Sequence, residues 1–283
     1  VNVSRSFLPN LEIYQLFEKL KNDKLNSEIL CRGNAMERIG LEEKYIEVVN
    51  DEGEVSYGGN QNWFEGIQSC NISGQGCGLI AAVDTYLYIV NRRTISKKEY
   101  LNIVNRYVSK RILIRLFLHE FSFEKSKSGG YAIGMLPIQM IRYLRKNFRK
   151  NGRGYILKWN GRNGHGNMYE KMKEMLSNDI PVIWGLYSKG HSLKLYKYNK
   201  ERQAFVDDYL QLTEGRFGHN TTNSHYVTVT GIMEQMAGDK HRRMIEISSW
   251  GQRFYIDYDE YLNYVGQSRI NNYCSNILLF GQK

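Results

Sequence analysis

Residues 76–93 read GCGLIAAVDTYLYIVNRR. Between Leu79 and Val90 the run is almost wholly apolar, interrupted by Asp84 and Thr85. A helix apolar on nearly all its sides belongs in the centre of a domain. Cys77 falls in the first turn of this helix, just behind Gly74 and Gly76. A helix N-terminus carries partial positive charge and free backbone N–H groups. A thiolate is stabilised there, so the Cys77 pKa is expected to fall. The flanking glycines let a substrate backbone approach and leave N–H groups to meet an oxyanion. The plain alternative is a packing cysteine, because free Cys is commonly buried.

Outward from this helix, the chain changes character once. Before and just after it, the patterns are helical. Leu11, Ile13, Leu16, Phe17 and Leu20 recur near helical spacing behind Asn10, and residues 36–45 read as a short helical turn. Residues 55–64 (VSYGGNQNWF) are punctuated by Gly and Asn and read as loop. Helices are predicted over 97–122 and 137–150, the latter with an apolar stripe of Met140, Ile141, Leu144 and Phe148 ringed by Arg and Lys. From residue 153 strands dominate, with one helix over 167–177, a brief helix at YDEYLNYV and a last strand at SNILLFG. Helices first and antiparallel strands later predict an α+β fold of two lobes meeting at a cleft.

Bulk properties bound the functions. The 283 residues carry 39 Lys/Arg against 29 Asp/Glu, a net charge of +10. The excess is local: residues 92–162 hold 18 Lys/Arg against 3 Glu, while the remainder is net negative. Such a lobe suits an acidic peptide, a nucleic acid or a membrane surface, or it is a solvated helix face. Neither a zinc-finger spacing nor a Gly-x-Gly-x-x-Gly loop accompanies the charge, which argues against nucleic acid. Without an apolar run of about 18 residues, no membrane-spanning helix is expected. The N-terminus does not read as a secretory signal, which favours the cytoplasm, although a chain beginning with Val allows a removed upstream segment. The four cysteines, Cys31, Cys70, Cys77 and Cys274, lack metal-knuckle spacing, and no metal or organic cofactor is indicated. Cys70 and Cys77 are near enough in sequence for a regulatory disulfide.

His225 opens the strand HYVTVTGI, in which His225, Val227 and Val229 share a face. A histidine at a strand end facing a cleft can act as base to a thiol. Taken alone it is a structural histidine, as His119, His165, His191, His219 and His241 are equally read.

Taken in chain order, Gln61 in GGNQNWF, then Gly76-Cys77-Gly78, then His225–Ile232, then a strand ending SSWG resemble the papain-like cysteine peptidases. The likeness is nearest to bacterial peptidases related to the bacteriocin-processing, double-glycine-leader enzymes. It covers roughly residues 55–265. The resemblance implies a helical lobe over about 55–152 and a sheet lobe over about 153–283, preceded by an N-terminal helical extension over 1–54. It implies Cys77 as nucleophile, His225 as general base and Gln61 as oxyanion donor, with Gln68, Asn71 and Gln75 as rivals. The family's Asn or Asp stands two positions before a Trp; Trp250 fits the Trp, and Ser248 occupies the acid's place. A Ser hydroxyl can fix the imidazole by accepting from Nδ1–H but brings no charge. Asp257 or Asp207 is the substitute in reserve. The implied activity is hydrolysis of a peptide or protein, acidic if the basic lobe contributes. An amidase or acyltransferase on the same fold, or a binding protein whose cleft has lost catalysis, are the alternatives.

Overall fold

The computed structural model describes residues 36–282 apart from 65–69, 119–130, 133–134, 188–192, 208–220, 223, 238–239 and 266–268. The helix expected near 11–20, and Cys31, Gln68, His119, His191 and His219, lie outside the described residues. The chain divides into a small unit (Val1–Glu37 with Glu234–Arg242) and a large one (Arg38–Met233 with Arg243–Lys283). In the small unit His241 Nε2 lies 3.2 Å from Glu234 Oε2. The large unit holds the described helices.

The protein is α+β, with helices packed against an antiparallel sheet. Seven strands form that sheet: β1 (Met36–Gly40), β2 (Val182–Tyr187), β3 (Tyr196–Asn199), β4 (Ala204–Asp207), β5 (Ser224–Ala237), β6 (Lys240–Ser249) and β7 (Gln252–Asp257). Their order is β1-β5-β6-β7-β3-β4, with β2 also pairing β5. The β2–β5 register sets His225 opposite Leu186 and Tyr226 opposite Gly185. The β6–β7 register sets Ser249 opposite Gln252. Only Trp250 and Gly251 join that pair, both with positive φ (47° and 74°). A two-residue hairpin loop with two left-handed residues matches the twist of its strands.

The helices are α1 (Cys77–Ile89), α2 (Lys97–Leu118), α3 (Pro137–Lys150), α4 (Met168–Ser177), α5 (Tyr258–Val265) and α6 (Arg269–Cys274); α1, α4, α5 and α6 pack on strands of the sheet, and α2 and α3 pack on α1. Helix α1 is buried along almost all its length, as an all-round apolar helix must be. Helix α3 is the opposite case. Met140, Ile141, Leu144 and Phe148 are buried, and Arg142, Arg145, Lys146, Arg149 and Lys150 are exposed. Pro137 opens it, where its missing N–H costs nothing. Among the described residues no helix is long and apolar enough to cross a membrane.

Two local expectations fail. Residues 36–40 form strand β1 rather than a helical turn, and the chain stays tied to the sheet at Leu41, whose N–H bonds Thr230 O at 3.1 Å. A free sheet edge offers backbone partners that outweigh weak helical spacing. Residues 55–57 are likewise a short strand, paired antiparallel with Glu47–Val49.

Candidate functional site

One small cavity draws together Gln61, Cys77, His225, Ser248, Ser249 and Trp250 with Asp84. Its volume, about 10 Å³, is on the order of a single water. Cys77, Ile80, Ala81 and Asp84 all line it. These positions recur at the spacing of one face of a 3.6-residue helix.

Cys77 begins α1 behind Gly76, which packs too closely on Ile72 for any side chain: a Cβ there would lie 2.4 Å from Ile72 Cγ2. The helix has no side-chain N-cap. Burial pushes the Cys77 thiol above its ordinary value, although the backbone N–H groups of Tyr226, Gly78 and Cys77 itself donate towards the sulfur and oppose the rise. The fall in pKa expected from the helix N-terminus is therefore absent: desolvation of the sulfur outweighs the helix-end N–H groups. The Tyr226 contact has a second meaning. It brings the Cys77 sulfur against the strand backbone at the residue next to His225.

His225 is buried, at 8% exposure. Its Nε2 lies 2.7 Å from Ser249 Oγ. Trp250 stacks on the imidazole, with centroids 4.4 Å apart and planes within 9°. The hydroxyl beside the imidazole is thus Ser249, not Ser248. Ser248 Oγ donates to Tyr57 O at 2.8 Å instead. Ser248 and Trp250 do not share a strand face as alternation predicts, because Trp250 is not in the strand. It occupies the left-handed hairpin loop, so its ring is aimed by the turn and not by alternation. The nitrogen engaged is also Nε2 rather than Nδ1.

Gln61 starts a short 3₁₀ turn, Gln61–Phe64, and its Nε2 donates to Ser73 O at 2.6 Å. Of its rivals, Gln75 is exposed and does not line the cavity, and Asn71 lies in a two-residue strand. Asp257 caps α5, its Oδ1 accepting from the N–H groups of Asp259 and Glu260. Asp207 ends β4. His165 belongs to another cluster, with Nε2 2.6 Å from Ser275 O and burial holding it below the ordinary histidine range. Among the described residues no cluster of His, Cys, Asp or Glu is arranged to hold a metal ion.

Two participants were not singled out in the sequence. Ser249 is one. The other is Asp84, a buried carboxylate that accepts from Tyr100 OH (2.6 Å), Gly59 N–H (3.0 Å to Oδ2) and Tyr45 OH (3.3 Å). Its signal was legible: it is the one acid in an apolar helix, two turns beyond Cys77 on the same face.

Compared with protein-family models, curated proteins and solved structures, the chain gives no match to any of them.

Proposed function

We propose that the protein is a papain-like cysteine hydrolase, acting on peptide or protein substrates through an acyl-enzyme at Cys77. The observation that carries this reading is the seat of the Cys77 sulfur. It lies at the start of a buried helix and against the Tyr226 N–H, in a cavity shared with His225 and a glutamine amide.

The thiol is neutral at rest, since burial holds its proton. His225 then acts as general base during attack rather than as a preformed imidazolium partner. His225, oriented by Ser249, takes the thiol proton and returns it to the leaving amine. The Gln61 amide has two N–H donors, one used on Ser73 O and the other left for the oxyanion beside the helix-end N–H groups. Water then cleaves the thioester, with His225 again as base. The exposed Arg and Lys side chains of α3 favour an acidic substrate. Substrate binding is then expected to weaken between low and high salt.

Two observations favour a second reading, a binding cleft without turnover. The imidazole is partnered by a neutral hydroxyl, and the thiol lacks a lowered pKa. A peptide library incubated with wild type and with Cys77→Ser separates the two. New peptide termini formed by wild type alone support hydrolysis. Bound but uncut peptides establish the binding cleft, and peptides joined to added amines establish acyl transfer.

A further inference from the structure

The loop that carries Gln61 does not hold itself. Backbone bonds tie Tyr57–Gly59 to its neighbours (Tyr57 N–H to Gly251 O, 2.8 Å; Gly58 N–H to Ile46 O, 2.8 Å; Gly251 N–H to Gly59 O, 3.0 Å), and two side chains of different elements fasten it from inside the protein. Ser248 of β6 donates to Tyr57 O at 2.8 Å. Asp84 of α1 accepts the Gly59 N–H with both carboxylate oxygens, at 3.2 and 3.0 Å. The fit requires glycine. Gly58 has φ +78°, and a Cβ there would lie 2.5 Å from both Asp84 Oδ2 and Ser248 Oγ; a Cβ on Gly59 would lie 2.0 Å from Tyr100 OH. Two residues after Gly59, Gln61 enters the cavity wall.

We propose that Asp84 is a positioning residue, holding the Gly58–Gly59 backbone and through it the Gln61 amide against the Cys77 cavity. The proposal rests on the reading of Gln61 as oxyanion donor. It also makes the hold responsive to pH. A charged acceptor binds an N–H roughly twice as strongly as a neutral one. Burial lifts the Asp84 carboxyl to about 6, against the hydrogen bonds of Tyr100, Gly59 and Tyr45. The titratable groups facing it are Tyr45, Tyr100 and Tyr143, with Cys77 and His225 on the wall of the same cavity; the three tyrosines and the thiol are held above their ordinary range.

The test pairs a structural readout with a chemical one. Amide hydrogen exchange at Gly59, corrected for intrinsic rates, is measured in wild type and Asp84→Asn from pH 8 to 5. Acylation of Cys77 by p-nitrophenyl acetate, which needs an oxyanion donor, is compared with its alkylation by iodoacetamide, which needs none. At pH 8, Asp84→Asn is expected to exchange Gly59 about tenfold faster and to lose about tenfold in acylation relative to alkylation, on the basis of the weaker neutral acceptor. Wild type is expected to approach the variant's exchange rate below pH 6. Adding Gln61→Ala to Asp84→Asn is expected to cost less than the two losses multiplied, because both act through one amide. Unchanged Gly59 exchange, or fully multiplicative losses, overturns the proposal. If wild-type Cys77 is not acylated at all, the acyl-enzyme reading falls and the exchange data alone decide the positioning role. If Asp84→Asn does not fold, Tyr100→Phe, which removes one of the three donors, and the wild-type pH series decide the same question.

Discussion

Nε2 of His225 and Oγ of Ser249 lie 2.7 Å apart beneath the indole of Trp250. The hydroxyl and the ring come from adjacent residues because the strand ends at Ser249 and the chain turns at once through Trp250 and Gly251. An orienting group and its shield are thereby delivered by one hairpin end. Ser249→Ala is expected to slow Cys77 acylation about tenfold, the value of one hydrogen bond that fixes a tautomer. Ser248→Ala is expected to act elsewhere, by freeing the Tyr57 carbonyl it now holds. Equal effects of the two variants on the pH dependence of acylation would refute the assignment.

The Cys77 thiol is held above its ordinary range by burial, which the backbone N–H donors of Tyr226, Gly78 and Cys77 only partly oppose. Site-resolved iodoacetamide labelling is expected to show Cys77 reacting slowly at pH 7 and climbing only above about pH 8.5, the range of a free thiol. A fast plateau already present at pH 5–6 would mean a resting thiolate–imidazolium pair, and His225 would then not be a base that acts only during attack.

Asp84 binds its proton more tightly in the folded protein, near pH 6, than a free aspartate near 3.8. Between those values the folded state holds more protons than the unfolded one, so this residue makes stability fall as pH rises through that window. Above pH 6 its buried charge costs about 3 kcal/mol by the size of the shift. Urea denaturation at pH 4, 5 and 7 is expected to show Asp84→Asn gaining on wild type as pH rises. Greater stability with a weaker site is the signature of a residue kept for positioning. A variant that loses stability at pH 7 would make Asp84 a structural group.

Glu246 has the opposite sign. Burial works against its charge, but Arg253, Arg38 and the Thr230 hydroxyl outweigh that and hold its carboxyl below the usual range. Its oxygens accept from Thr230 (2.9 Å), Tyr57 (3.1 Å), Arg38 (3.2 Å) and Tyr255 (3.2 Å). The stability it contributes is present above the ordinary glutamate pKa and is lost as pH falls through the lower folded value. Glu246→Ala is expected to cost about 3 kcal/mol at pH 7, because it strands buried donors, and less at pH 3. A pH-independent loss would show that packing, not charge, sets the value of this residue.

The local patterns that depend on neighbours in sequence were readable directly. An apolar run without a polar face cannot lie at a surface, so the helix from Cys77 to Ile89 had to be central. Alternation fixed the His225 strand, and the Met140–Phe148 stripe against its basic surround fixed which side of Pro137–Lys150 is buried. Residues 36–40 went the other way: their choice of strand depends on a partner strand nearly two hundred residues later, which no local spacing encodes. At the site, the residue types were legible and their partners were not. The family resemblance, counting back from Trp250, pointed to Ser248, whereas the hydroxyl beside the imidazole belongs to Ser249. The helix start promised a low thiol pKa, and burial reversed it. Asp84, a lone acid in an apolar helix, was readable but not singled out, and its hold on Gly59 exists only because Tyr45, Tyr100 and two glycines converge on it from other parts of the chain. Periodicity and composition are set along the chain. Hydrogen-bond pairing and desolvation are set by what packs across it, and those the tertiary structure alone decided.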